Sequence, residues 1–202
     1  MTRSALLATV VLLLFVLAGA ALPVRAQSVP PASATIAPSL SCVPSTVSDT
    51  SGDSFCTFSN PLGYQVQVPM DWQQVPIEGT DLLLKSVDGL QLTDIVVTDT
   101  PTDLNGIVAI SHDVLRDYRS GINPLDLTVV EDSVPVSVAN ADAAAYTVIN
   151  YTSRQQLDRS ASLLIVTRGA KLYIFVLDTT RDYLASNHDQ GSQILCSFAL
   201  LP

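Results

Sequence analysis

NPLGYQVQVPMDW, residues Asn60–Trp72, sets the pattern from which the fold can be read. Tyr64, Val66 and Val68 alternate with Gln65, Gln67 and Pro69. One face is apolar and the other polar, which is the period of a half-buried strand. Asn60-Pro61 and Gly63 supply the turn before it. Pro69 has no backbone N–H to give to a ladder, so the strand ends there. Asp71 suits the following turn, and Trp72, the only tryptophan, opens a further short segment over Trp72–Val75.

The same alternation recurs on both sides. Cys56–Ser59 reads as a strand ahead of the turn. Asp81–Val87 and Leu90–Thr98 read as a hairpin across Asp88-Gly89, a strong turn pair. Ile95, Val96 and Val97 are contiguous and β-branched, as in a strand covered on both faces. A helix is expected from a cap at Thr102 or Asp103 to Gly121, with Leu104, Ile107, Val108, Val114, Leu115 and Tyr118 on its apolar side. Ser111 interrupts that stripe. His112, Asp113, Arg116, Asp117 and Arg119 make a solvated, mixed-charge face.

Three strand regions follow. Leu127–Val138 alternates through Val129, Val134 and Val136, and Asp142–Tyr151 comes next. Ala161–Thr167 then pairs with Lys171–Leu177 through Arg168-Gly169-Ala170. That last hairpin is apolar almost throughout, so it belongs at the centre. A second helix starts at Thr179 or Thr180, with Asp182 in its first turn, where the helix dipole favours an acid. Tyr183, Leu184, Ile194, Leu195 and Phe198 are its expected buried contacts. Gly191 implies a kink or a close approach, and Ser197–Leu200 a terminal strand. Runs of strands joined by tight turns, with only two helices, define an α+β domain over residues 55–202: an antiparallel β-sheet flanked by α-helices.

The N-terminal part has a different composition. Residues 1–26 have the form of a secretory signal peptide: Arg3, then an uncharged apolar run from Ala5 to Ala21, then Val24-Arg25-Ala26 before Gln27. The alternative is an uncleaved membrane anchor. Residues 27–54 are rich in Ser, Thr, Pro and Ala and carry no charge before Asp49, the composition of a disordered exported linker. The expected location is extracytoplasmic, secreted or in the cell envelope. The chain's formal charge of −9 argues against nucleic acid and anionic lipid as partners. Export permits disulfides. Of three cysteines, Cys42 and Cys56 flank a short Ser/Thr/Asp segment and are the favoured pair, with Cys56–Cys196 as the alternative.

Few residues suggest chemistry. There is no Gly-x-Ser-x-Gly elbow, Gly-rich phosphate loop, His-Glu-x-x-His or Cys-x-x-Cys. Of the two histidines, His112 is expected on the exposed edge of the first helix. His188 is expected half-buried, and a hydrolase would have to be built on it together with a Ser and an Asp. Asp94, Asp99 and Asp103 lie on a strand end and the loop after it, where carboxylates can surround calcium, although no EF-hand pattern is present. Asn150-Tyr151-Thr152 matches a glycosylation acceptor.

Gly63-Tyr64, Pro69-x-x-Trp72, Ile194-Leu195 and Ser197-Phe198, in this order of strands and helices, resemble the PsbP-like family over about residues 55–200. These are extrinsic proteins of the lumenal side of photosystem II and their bacterial relatives. The resemblance implies an α/β/α sandwich with an antiparallel sheet between helices. It also implies a non-enzymatic accessory or binding protein that docks on an extracytoplasmic protein, with no cofactor. Calcium-dependent binding is the alternative, and a small hydrolase a further one.

Overall fold

The computed structural model describes residues 55–77, 80–101, 104–186 and 188–202. The expected signal peptide, the linker with Cys42, and Asp103 lie outside the described residues.

The hairpin expected at the centre is there. β8 (Asp158–Arg168) and β9 (Lys171–Thr180) pair from Arg159↔Thr180 to Arg168↔Lys171, with Gly169 at a positive φ in the turn. Around it lie β3 (Gln73–Gln74), β4 (Leu82–Lys85), β5 (Leu92–Asp99), β6 (Asp126–Val136) and β7 (Ala143–Thr152). They form one antiparallel seven-stranded sheet of order β3-β4-β5-β9-β8-β7-β6. Alternate residues of β9 serve two cores. Leu172, Ile174 and Val176 face one side, and Tyr173, Phe175 and Leu177 face the other.

Helix α1 (Ile107–Ile122) covers the first face with Ile110, Val114, Tyr118 and Ile122, a repeat of four that forms a single stripe. It begins later than expected, behind Gly106 at φ 82, which carries no side-chain cap. Val108 is exposed rather than buried, and Leu104 packs from the preceding loop. Gly121 lies inside the last turn, and Asn123 ends the helix in the left-handed region. Ser111 is fully buried: its hydroxyl lies 3.2 Å from that of Thr147 and accepts from Ser133 Oγ at 3.1 Å. It is a polar contact to the sheet, not a gap in the stripe.

The second face is covered by a separate small sheet, β1-β2-β10, made of β1 (Phe55–Asn60), β2 (Tyr64–Pro69) and β10 (Ala199–Leu200). The strand Tyr64–Pro69 therefore does not join the main sheet. It lies on it, with Tyr64, Val66 and Val68 inward. Two short helices complete this layer, α2 (Arg181–Ser186) and α3 (His188–Cys196), in place of one long helix. The Thr180 hydroxyl caps α2 by accepting from Tyr183 N at 3.3 Å. Gly191 is where the two helices meet, since a Cβ there would stand 3.0 Å from Leu184 Cδ1. Phe198 stacks on Tyr64 at 5.9 Å and on Phe175 at 5.5 Å between ring centroids, which joins both ends of the domain to the central hairpin.

Phe175 is fully buried between the layers and Val130 is 53% exposed. Phe175→Ala should cost about 3–5 kcal/mol in urea unfolding, and Val130→Ala should stay within about 0.5 kcal/mol.

Candidate functional site

Among the described residues, the outer layer is narrower than the sheet beneath it. The small sheet and α3 lie over the middle of the second face, and the end formed by β6 and β7 extends beyond them. On β6, Leu127 and Val129 pair with Tyr151 and Ile149, on the α1 side. Two register shifts follow, between Val129 and Glu131 and between Glu131 and Val134, with Ser133 at φ 52. The two shifts slip the pairing by two residues in all and leave the alternation of faces unchanged, so Val134 and Val136, an odd number of residues beyond Val129, lie on the opposite face, where they pair with Tyr146 and Ala144.

A groove of about 500 Å³ opens at that place. Its floor is sheet, from Val136, Tyr146 and Leu164. Its wall is α3, from Ser192, Leu195 and Cys196, and Val138, Phe198 and Ala199 close one end. Among the described residues, no charged side chain lines it. The Tyr146 hydroxyl meets Ser162 Oγ at 3.0 Å, and burial raises its pKa above the usual phenol value. Volume, concavity and an apolar lining with few polar groups are the ordinary features of a binding site. Val134 and Val136 carry the apolar surface outward along β6, 39% and 38% exposed.

A second cluster lies at the opposite end of β7 and β8. Asp178 Oδ2 accepts from Tyr118 at 2.9 Å and from Tyr151 at 2.5 Å, and Oδ1 accepts from Arg159 Nε at 2.8 Å. Arg159 Nη2 donates to Leu90 O at 2.9 Å. Burial and the neighbouring Asp178 push both phenols up, so they stay protonated and donate. Burial alone would draw the guanidinium down, but the adjacent Asp178 leaves its pKa raised.

Of the aspartates singled out for calcium, Asp94 and Asp99 do not converge, and Asp103 lies outside the described residues. Asp94 is buried on β5, where its carboxylate accepts from the Thr80 hydroxyl. Asp99 is exposed at the end of the same strand and pairs with Lys171 at 2.9 Å. Five residues along a strand place them on opposite faces and about 16 Å apart. His112 is exposed, with Nε2 3.1 Å from Asp132 Oδ1. The side chain of His188 lies outside what is described. Cys56 is buried in β1, Cys196 is exposed at the end of α3, and the structure does not join them. Asn150 is within β7. Among the described residues, no helix is long and apolar enough to cross a membrane.

Neither the groove nor the Asp178 cluster was singled out from sequence. The cluster did leave a trace there: Asp178 directly follows the uninterrupted apolar run Leu172–Leu177, where an unpaired charge is costly to bury. The groove left none, because its residues come from β6, β7, β8 and α3.

An antiparallel α+β sandwich with α1 on one face and a small sheet with two helices on the other is the class defined by these layers. More particularly, the fold is PsbP-like. It is similar to cyanobacterial PsbP (CyanoP) from Synechocystis sp. PCC 6803, with a TM-score of 0.51 and 17% identity over 77% of this chain and 96% of that one. It is also similar to LpqN of Mycobacterium tuberculosis, a protein involved in cell envelope biogenesis, with a TM-score of 0.50 and 14% identity over 71% and 87% of the two chains. No protein-family model and no curated protein matches the sequence.

Two pH and stability effects follow. Burial, partly offset by the Thr80 hydrogen bond, pushes the Asp94 carboxyl up to about 7. The folded protein thus holds a proton that the unfolded chain releases near pH 4. The Asp94 contribution is fully present below about pH 4, falls by roughly 4 kcal/mol between pH 4 and 7, and is flat above. Asp94→Asn should remove that part of the slope in denaturant titrations between pH 4 and 8. Asp178→Ala leaves Arg159 buried without its carboxylate and should cost about 3–5 kcal/mol, whereas Tyr118→Phe should cost about 1 kcal/mol. Urea midpoints of the two variants give the comparison.

Proposed function

We propose that this is an exported, non-enzymatic accessory protein of PsbP-like type that docks on an extracytoplasmic protein through the groove between α3 and the β6–β7 end of the sheet. The observation that carries the reading is an open, apolar concavity on a sheet face, with no charged lining among the described residues, which the described outer layer leaves uncovered. Burying such a surface against a partner is favourable at about 25 cal/mol per Å². The occupant is an apolar segment of the partner protein, with the exposed Val134 and Val136 extending the contact beyond the concavity. The signal-like residues 1–26 support export. The fold shared with LpqN, itself involved in cell envelope biogenesis, is compatible with that location. The acidic surface suits a basic or neutral rim on the partner.

Cys196 at the groove rim offers a native attachment point. A thiol-linked photocrosslinker placed there, activated in the native envelope fraction, should capture one protein in near-stoichiometric amount. Val136→Asp should reduce that capture by about tenfold or more, the equivalent of 1.4 kcal/mol, with the melting temperature unchanged. Recovery of the protein alone, or equal capture by Val136→Asp, would contradict the reading.

A further inference from the structure

The groove between α3 and the β6–β7 end of the sheet has a candidate occupant in the chain itself. Residues 27–54 carry no charge before Asp49, and their only isoleucine and leucine are Ile36 and Leu40. In an extended chain Ile36, Pro38, Leu40 and Cys42 fall on one side, with Ala37, Ser39 and Ser41 on the other. Such a segment is narrow, uncharged and apolar along one side. The described lining of the groove is likewise uncharged and mostly apolar. The segment's apolar side ends in a thiol, and the groove's rim holds another, the exposed Cys196.

The chain is long enough to bring them together. β1 and β10 flank β2, with Phe55 opposite Pro69 and Ala199 opposite Gln65. The strand spacing and this offset put Phe55 about 16 Å from Ala199. Cys196 stands just before Ala199, no more than about 11 Å further along the chain. The chain from Cys42 to Phe55 can extend to about 43 Å. Cys56 is the harder partner to reach. It is 2% exposed and pairs with Val68, a core residue, so Cys42 would have to enter the space between the two sheets.

We propose that residues 36–42 occupy this groove in the exported chain until its partner arrives, held there by a disulfide between Cys42 and Cys196. Each thiol gives up its proton and a sulfur–sulfur bond forms. The two electrons and two protons pass to the disulfide of an exported thiol oxidase, which leaves as a dithiol. On its tether the segment meets the groove at an effective concentration on the order of millimolar, so the apolar lining is covered without a partner. A dithiol reductant reverses the bond, frees the segment and opens the groove. This regulatory role rests on the docking reading above, and the reduced chain is the bare reference for that reading.

The test is disulfide mapping of the full exported chain, isolated without reductant. Cleavage before Asp49, Asp53 and Asp189 separates the three cysteines. One reducible pair joining Cys42 to Cys196 is expected. On reduction the amides of Val136, Tyr146 and Leu164 should shift in NMR spectra, as the segment leaves the groove. Leu40→Asp should weaken the disulfide about tenfold against a glutathione pair, with the melting temperature of the reduced chain kept. Cys56 joined to either other cysteine, thiols alone, or a disulfide indifferent to Leu40→Asp would each overturn the proposal. Docking is read separately, from a photocrosslinker on Cys196 in Cys42→Ser. Capture there, without a Cys42–Cys196 bond in the parent chain, keeps docking and removes the seated segment. The bond without capture keeps the seated segment and removes docking.

Discussion

Everything in this fold answers to one constraint: the hairpin β8–β9 is apolar on both faces. Ala161, Leu163, Ile165, Leu172, Ile174 and Val176 require cover on one side, and Leu164, Val166, Tyr173, Phe175 and Leu177 on the other. A sheet of this kind is stable only between two layers. Helix α1 provides the first. The second is assembled from the two ends of the domain, β1 and β2 from one and α3 and β10 from the other. The Tyr64–Phe198–Phe175 stack holds these ends together over the centre. Ser197 contributes beside it, accepting from Gln67 N at 2.7 Å and donating to Ile194 O at 2.7 Å.

Among the described residues, the limited width of that second layer leaves part of the sheet face open. Strand β6 is at the edge of the main sheet and exposed along most of its length. An edge of this length invites pairing with another chain. Here the register shifts, Pro135 and the charges of Glu131 and Asp132 make it a poor template. Val134 and Val136, an odd number of residues beyond Val129, lie on the face that the described outer layer leaves open. The edge is thus blunted while the face beside it stays apolar, and this favours docking by side-chain burial over strand addition.

The sequence reveals the parts of this structure that depend on near neighbours. Alternation in Tyr64–Val68, the Asp88-Gly89 and Arg168-Gly169-Ala170 turns, and the doubly apolar hairpin are all local patterns, and all are found as strands and turns. The PsbP-like resemblance rested on Gly63-Tyr64, Trp72, Ile194 and Phe198. Tyr64, Trp72, Ile194 and Phe198 meet in one core. What depended on distant partners was not legible. Ser111 looks like a break until Thr147 and Ser133 are placed against it. Asp178 looks like the end of a strand until Tyr118 and Tyr151 reach it from elements far away in sequence. Tyr64–Val68 has the pattern of any half-buried strand, and nothing local says that it belongs to a second sheet. The start of α1 was misplaced because Leu104 has helical spacing but packs from the loop before Gly106.

Hydrogen–deuterium exchange of the protein in its native envelope fraction, compared with the purified chain, distinguishes an occupied groove from a bare one. Added protection is expected, confined to residues 134–148 and 192–199, the floor and wall of the groove, with the α1 face unchanged. Equal exchange in the two preparations, or protection centred on α1, would contradict it.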